Sequence, residues 1–120
     1  MEDSLRKKFV KRAKRVVIKV GSGVLTGSRG LNRGVIDRLT KDISLLRDDG
    51  IEVILVSSGA IAAGLRKMGL ASRPQSVSQQ QAMAAVGQTT LMMAYEKAFS
   101  RHGHKVAQVL LTRDDLTHRR

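Results

Sequence analysis

Two short stretches of this sequence combine polar side chains with glycines in a pattern that could bind an anion. In the first, Lys19 interrupts an apolar run and precedes the group Gly21-Ser22-Gly23. A lysine in an apolar strand is costly to bury without an anionic partner, and the backbone amides of a glycine-rich turn can bind phosphate oxygens. The stretch therefore predicts a phosphate site, although a lysine that reaches solvent from an edge strand explains it equally well.

The second stretch is the apolar run Val53 to Val56, which ends at Ser57, Ser58 and Gly59 before an alanine-rich segment begins. A run that is apolar on both faces indicates a strand covered on both sides, as in a parallel sheet flanked by helices. Ligands of such sheets gather at the carboxyl ends of the strands, where helix amides favour anions. We expect Ser57 to Ala60 to bind an anionic small molecule; close packing of the helix on the sheet, through its alanines and Gly64, is the alternative explanation.

Neither of the familiar nucleotide-binding motifs is present. The sequence after Gly21-Ser22-Gly23 lacks the last glycine of a G-x-G-x-x-G fingerprint. Gly59 and Gly64 have Walker spacing, but Leu65 and Arg66 stand where lysine and a hydroxyl residue are required. The three histidines show no ligand spacing, and no metal-ligating residues are predicted. A phosphate site in this chain would therefore need a loop that differs from both the G-x-G-x-x-G and the Walker motif.

The composition describes one globular domain or a part of a larger one. The chain has 120 residues, of which 42% are hydrophobic and only 2% aromatic, so the core must be aliphatic and favours helices packed on a sheet. It has no cysteine, which excludes disulfides and thiolate metal sites and agrees with a reducing cytoplasm. No apolar run approaches the roughly 18 residues of a membrane span. These features predict a cytoplasmic protein.

The amino terminus carries a large share of the net charge of +12 for its length. Residues 1–15 contain seven Lys or Arg against two acidic residues, which gives +5. Clustered cations can bind nucleic acid, but aromatic side chains for base stacking are nearly absent. We interpret residues 1–15 as a basic, solvated and partly helical extension, and a basic nucleic-acid-binding module is the alternative.

The hydrophobic pattern alternates strands with helices, which predicts a βαβ unit and a parallel sheet. Asn32 is the expected N-cap of the first core helix, and Ser76 with Gln79 has the form of a capping box on the longest one. The acidic pair after Thr112 suits a helix N-terminus. We predict a first strand ending at Val20, a second strand from Ile51 and a buried third strand over 105–112. The predicted helices end at Gly50, cover 60–68 and run from 76 toward 101. Loops are predicted over 26–34 and 70–75.

Five segments, taken in order, resemble the N-terminal half of bacterial glutamate 5-kinases, which are amino acid kinases. Lys-x-Gly-Ser alone is typical of the broader amino acid kinase family. The segments Ser-Ser-Gly-Ala-Ile-Ala-Ala-Gly and Gln-Ala-x-Ala-Ala-Val-Gly-Gln are specific to this member of it. The resemblance covers about residues 16–120 and is carried by residues 17–22, 25–26, 56–64, 81–88 and 107–115.

The resemblance implies an α/β fold, namely the N-terminal half of a three-layer α/β/α sandwich with a mainly parallel sheet. It implies phosphorylation of the γ-carboxylate of L-glutamate by ATP with Mg²⁺, the first step of proline biosynthesis. Lys19 would be the catalytic, phosphate-contacting lysine, and Ser58 would bind glutamate. The implied site residues are Lys19, Gly21 and Ser22 for ATP, and Ser58, Gly59 and Ala60 for the substrate.

The chain is much shorter than members of this family, and the acidic residues that complete the glutamate site and the adenine pocket would lie beyond it. We therefore expect the 120-residue chain alone to be inactive and the full-length form to be a homo-oligomer. An acetylglutamate, aspartate or nucleotide kinase is the alternative within the family. A non-catalytic interaction module made from the kinase half is the alternative outside it.

Overall fold

A computed structural model describes residues 2–118 of the chain. The first residue of the predicted basic extension and the last two residues of the predicted kinase region, 119–120, lie outside the described residues. Six helices and four strands follow one another within that range. They are α1 Glu2–Arg12, β1 Arg15–Val20, α2 Ser22–Leu25, β2 Thr26–Gly27, β3 Gly30–Leu31, α3 Arg33–Asp48, β4 Glu52–Ser57, α4 Ala60–Lys67, α5 Val77–Ser100 and α6 Arg113–Thr117.

The strands β1 and β4 form a parallel pair, and α3 lies between them in sequence. Their register joins Arg15 to Glu52 at one end and Val20 to Ser57 at the other. An ion pair of 2.6 Å between the side chains of Arg15 and Glu52 closes the amino-terminal end of the ladder. The predicted βαβ unit is therefore confirmed, and its two strands end side by side.

Helices cover only one face of this sheet in the described part of the chain. On that face Ile18, Val53 and Leu55 pack against the core side chains of α3 and α5. On the opposite face Val17 is 65% exposed and Ile54 is 49% exposed. The prediction that β4 is covered on both sides is wrong for residues 2–118, because both packed helices lie on the same side of the sheet.

Helix α3 begins and ends as the sequence predicts. The Asn32 side chain accepts a hydrogen bond from the Val35 amide at 3.2 Å, which caps the first turn. Gly50 follows the helix with a φ of +82°, a left-handed conformation that glycine adopts without strain. The buried hydroxyls of Thr40 and Ser44 donate to carbonyls one turn earlier, so the inner face of α3 has no unsatisfied side-chain hydroxyl.

Helix α5 supplies most of the remaining core. Ser76 caps it by accepting from the Gln79 amide at 3.1 Å, and Leu91, Tyr95 and Ala98 are buried on one face as predicted. Neither α5 nor any other helix in residues 2–118 combines the length and the apolar character that a membrane crossing requires.

The predicted third strand over Lys105–Thr112 is wrong for the described structure. This segment has no regular secondary structure, and Val109 and Leu110 are each 74% exposed. A strand needs a neighbour for its backbone hydrogen bonds, and within residues 2–118 β1 and β4 pair only with each other. Thr112 instead caps α6 in a capping box with Asp115, which confirms the helix N-terminal role of the acidic pair.

The region predicted as a surface loop contains more structure than expected. Thr26–Gly27 pairs with Gly30–Leu31 in a short antiparallel hairpin, and the Asn32 amide donates to the Leu25 carbonyl at 2.7 Å. The Gly-Ser-Gly group is likewise more than a turn, because Ser22 starts the single helical turn α2. The segment after β1 is therefore held by backbone hydrogen bonds.

The basic extension forms α1, which confirms its partly helical character. None of its residues is buried, and its ion pairs are local ones between Glu2 and Arg6 and between Asp3 and Lys7. Exposed pairs of this kind contribute about 0.3–0.5 kcal/mol each. The helix is therefore a solvated element that packs on nothing in the described residues.

Candidate functional site

The two predicted anion-binding stretches meet at the carboxyl end of the parallel strand pair. Val20 and Ser57 are register partners, and the Ser58 amide donates to the Val20 carbonyl at 3.0 Å. This hydrogen bond continues the ladder one residue beyond the end of β4. The segment that starts at Gly21 and the turn at Ser58 and Gly59 are therefore fixed next to each other.

Lys19 lies opposite Val56 in this ladder, on the face of the sheet that helices do not cover. Its side chain is exposed, and it forms no ion pair within the described residues. The ammonium group is thus available to an anionic ligand. The same placement also fits a lysine that reaches solvent from its strand.

The segment after β1 places backbone amides close to Lys19. Gly21 is the N-cap of α2, and its carbonyl accepts hydrogen bonds from the Val24 and Leu25 amides. The Thr26 hydroxyl donates to the Ser22 carbonyl at 2.6 Å and ties the end of this turn to its start. Gly21 and Ser22 are exposed, so ligand atoms can approach their backbone.

Gly59 connects β4 to α4 in a conformation that favours glycine. Its φ is +108°, and a Cβ atom there would lie 3.6 Å from Leu31 and 3.7 Å from Thr26. The turn after β4 therefore packs directly against the hairpin that follows α2. The sequence predicts the turn at Gly59, but it contains no signal for the contact between this turn and the hairpin.

Two backbone amides at the start of α4 have no partner among the described residues at this turn, where Gly59 is buried and Ala60 half-buried. The first helical bond there runs from the Ala63 amide to the Gly59 carbonyl at 3.0 Å. Within residues 2–118 the amides of Gly59 and Ala60 are bonded to no backbone or side-chain acceptor. Such donors at a helix start favour an anion.

The two serines of the turn have different surroundings. The hydroxyl of Ser57 is half-buried and lies 2.7 Å from the hydroxyl of Tyr95, whereas Ser58 is exposed. Burial raises the pKa of the Tyr95 phenol above its ordinary value, and the hydrogen bond with Ser57 lowers it by a smaller amount. Ser58 is therefore the hydroxyl that a ligand can reach. The only sequence signal for the Tyr95 contact was a polar group on an otherwise apolar helix face.

Two glycines let α4 approach α5 at backbone distance. A Cβ atom on Gly64 would overlap the Met83 carbonyl oxygen and lie 2.7 Å from its carbon. A Cβ atom on Gly87 would overlap the carbonyl oxygen of Ala60, the first residue of α4. The predicted packing role of Gly64 is confirmed, and Gly87 is a second such residue that the sequence did not reveal. This contact fixes where α4 starts and hence where its free amides lie.

The structure thus brings all the predicted site residues to one end of the sheet. They are Lys19, Gly21, Ser22, Ser58, Gly59 and Ala60. In the described part of the chain no three acidic, histidine or cysteine side chains lie close enough to hold a metal ion. The arrangement can hold an anion by a cation, hydroxyls and amides.

A separate cleft of about 250 Å³ lies between α3 and α5 and contains none of these residues. Arg101 and Asp37, which line it, form an ion pair of 3.0 Å. The cleft is lined by Arg33, Ile36, Asp37, Ala94, Lys97, Ala98 and Arg101. It is therefore not the site that the sequence motifs indicate.

The chain is similar to proteins named glutamate 5-kinase, which confirms the resemblance seen in the sequence. It is 56% identical over 117 residues to the Geobacter metallireducens protein, covering 97% of this chain and 31% of the relative. It is 53% identical over 116 residues to the Geobacter sulfurreducens protein, covering 96% and 31%. A Thermus thermophilus protein is 51% identical over 107 residues, covering 89% and 29%.

The chain therefore spans about 31% of the length of the first two relatives. A family model described as the amino acid kinase family matches residues 14–120, which includes both predicted anion-binding stretches and all of β1 to α6. An α/β fold with a parallel strand pair agrees with that match. This chain belongs to the amino acid kinase family.

Proposed function

We propose that this chain is the N-terminal part of an enzyme that phosphorylates the γ-carboxylate of L-glutamate with ATP. The product is glutamyl 5-phosphate, and the reaction is the first step of proline biosynthesis. One observation supports this most strongly: the end of β1, which carries Lys19, and the Ser58–Gly59 turn are joined by the hydrogen bond from the Ser58 amide to the Val20 carbonyl. A phosphoryl donor and its acceptor need two such sites side by side.

The proposed roles follow from the chemistry of phosphoryl transfer. Negative charge spreads over the oxygens of the moving phosphoryl group, so catalysis depends on positioning and on charge neutralisation. Lys19 supplies the cation, and the amides of Gly21 and Ser22 hold phosphate oxygens. Ser58 donates to the glutamate, while Gly59 and Ala60 offer it the free amides at the start of α4.

ATP enters this proposal as substrate, and Mg²⁺ as the ion that accompanies its phosphates. Mg²⁺ in such sites is held mainly by phosphate oxygens, water and one or two carboxylates. No three acidic, histidine or cysteine side chains of residues 2–118 lie close enough to form a Mg²⁺ site by themselves, so the ion would be held here mainly by phosphate oxygens and water.

We also propose the domain architecture of the whole enzyme, its location in the cell and its oligomeric state. Residues 16–120 form the first part of a three-layer α/β/α domain with a mainly parallel sheet, and residues 1–15 are a basic extension whose last residue, Arg15, already belongs to β1. Two features of the described chain support this: α1 packs on nothing, and one sheet face carries exposed apolar side chains. The full-length enzyme would act in the cytoplasm as a homo-oligomer.

A chimera tests the proposed function. In it this chain replaces the matching 117-residue region of the Geobacter metallireducens relative, which supplies the rest of the enzyme. We expect ADP release that depends on both ATP and L-glutamate, and none from the 120-residue chain alone. Assays with acetylglutamate, aspartate and nucleoside monophosphates in place of glutamate cover the rest of the family. Turnover of one of these but not of glutamate would contradict the proposed substrate.

Replacing Ser58 with alanine in the chimera should raise the KM for glutamate by about 10- to 100-fold, since a hydrogen bond to a charged group contributes about 1.5–3 kcal/mol. The KM for ATP should stay unchanged because Ser58 follows β4 rather than β1. Steady-state kinetics with each substrate varied separately measures both constants. The control is Ser4→Ala on the solvated helix α1. An equal rise in both KM values would assign Ser58 a general structural role instead.

A further inference from the structure

A chain of two hydroxyl groups links α5 to the turn after β4. The Ser57 hydroxyl donates to the Ser58 carbonyl at 2.9 Å and lies 2.7 Å from the Tyr95 hydroxyl. A serine hydroxyl has a single proton, so Tyr95 must be the donor in the second contact. The raised pKa of Tyr95 keeps that proton in place at neutral and mildly alkaline pH.

The acceptor at the end of this chain controls the direction of a neighbouring donor. The Ser58 carbonyl and the Gly59 amide belong to one peptide unit, which is planar and trans. Their C=O and N–H bonds therefore point in opposite directions. Holding the Ser58 carbonyl through the Ser57 hydroxyl therefore fixes the direction of the Gly59 N–H, which is bonded to no acceptor within residues 2–118.

Tyr95 is placed firmly enough to act as such a support. Its side chain is only 3% exposed, and its ring stacks on that of Phe99 with 6.4 Å between the centroids. A phenylalanine would fill the same space in the core. The hydroxyl is therefore the part of Tyr95 that packing does not explain.

We propose that Tyr95 is a positioning residue of the glutamate site, which acts through Ser57 to hold the Ser58–Gly59 peptide in its binding orientation. This inference rests on the proposed function, since it assigns the turn to the acceptor substrate. Tyr95 itself contacts neither substrate in this assignment. Loss of the Tyr95 hydroxyl should weaken glutamate binding and leave ATP binding unchanged.

The test compares Tyr95→Phe, Ser57→Ala and Ser57→Thr in the chimera described above. Tyr95→Phe removes one hydrogen bond and keeps the ring, so the KM for glutamate should rise about three- to tenfold while the KM for ATP stays constant. Ser57→Ala breaks both contacts and should raise the KM for glutamate at least as much. Ser57→Thr keeps a hydroxyl and should restore the KM to within about twofold of the unmodified chimera.

The matched control is Ser44→Ala, which removes one buried hydroxyl hydrogen bond from α3 without touching the turn. It should lower the melting temperature and leave both KM values unchanged. Unchanged KM values in Tyr95→Phe, or a rise of both KM values in parallel, would overturn the positioning role. A chimera that uses another acid instead of glutamate would overturn only the proposed substrate, and the same comparison with that acid would still decide the role of Tyr95.

Discussion

Replacing Lys19 with alanine in the chimera should lower kcat by about 100- to 1000-fold, the range found when one preorganised charge-stabilising donor is lost. Lys19 is exposed at the end of β1, and no carboxylate pairs with it in the described residues. Its removal should therefore leave the fold unchanged. Rapid-quench or coupled ADP-release assays at saturating glutamate and ATP measure the effect on kcat.

Lys41→Ala is the matched control for this variant, because Lys41 is an exposed lysine on α3. It should keep kcat within about twofold of the unmodified chimera, since it lies on a helix away from the strand ends. A Lys19→Ala chimera that retains more than about a tenth of the activity would favour the other interpretation of this residue, a lysine that only reaches solvent from its strand.

The Gly87→Ala variant should lose at least about 3 kcal/mol of stability, the upper part of the range for overpacked sites. The added methyl group would overlap the Ala60 carbonyl oxygen and lie 2.8 Å from its carbon. These are backbone atoms of α4, so no side-chain rotation can relieve the overlap. Chemical denaturation of the chimera, followed by circular dichroism, measures the loss.

Gly34→Ala is the control for Gly87→Ala, because Gly34 is also a helical glycine but has no backbone of another helix close to it. The nearest atom to a Cβ atom on Gly34 would be Asn32 Oδ1 of the N-cap at 3.5 Å, an ordinary contact, and Gly34 lies in the first turn of α3. Alanine there should leave stability unchanged or raise it by up to about 1 kcal/mol, because it lowers the entropy of the unfolded chain. Equal stabilities for the Gly87→Ala and unmodified chimeras would show that α4 and α5 are not in backbone contact.

Local signals in the sequence predicted the elements whose causes are local. Asn32 and Ser76 accept the capping hydrogen bonds expected of them, and Gly50 has the left-handed conformation that ends α3. The site residues at the two strand ends were also predictable, because parallel strands end at the same edge of a sheet. Residue types and short spacings carry this information.

Features that depend on distant parts of the chain were not predictable in the same way. The residues 105–112 are as apolar as a buried strand, but a strand forms only beside a partner, and the pattern contains no information about one. Gly87 and Ala60 are far apart in sequence, and nothing near either residue signals their contact. The Tyr95–Ser57 hydrogen bond likewise joins residues 38 positions apart.

The hydrogen bond from the Ser58 amide to the Val20 carbonyl has a geometric consequence for a two-substrate reaction. It extends the pairing of β1 and β4 by one residue, so the turn at Ser58 lies about one strand spacing, about 4.8 Å, from the end of β1, where the segment starting at Gly21 begins. Ligands bound at neighbouring strand ends would be held at a distance set by backbone repeat geometry. The pairing of β1 and β4 would then set the distance between the phosphoryl donor and the acceptor.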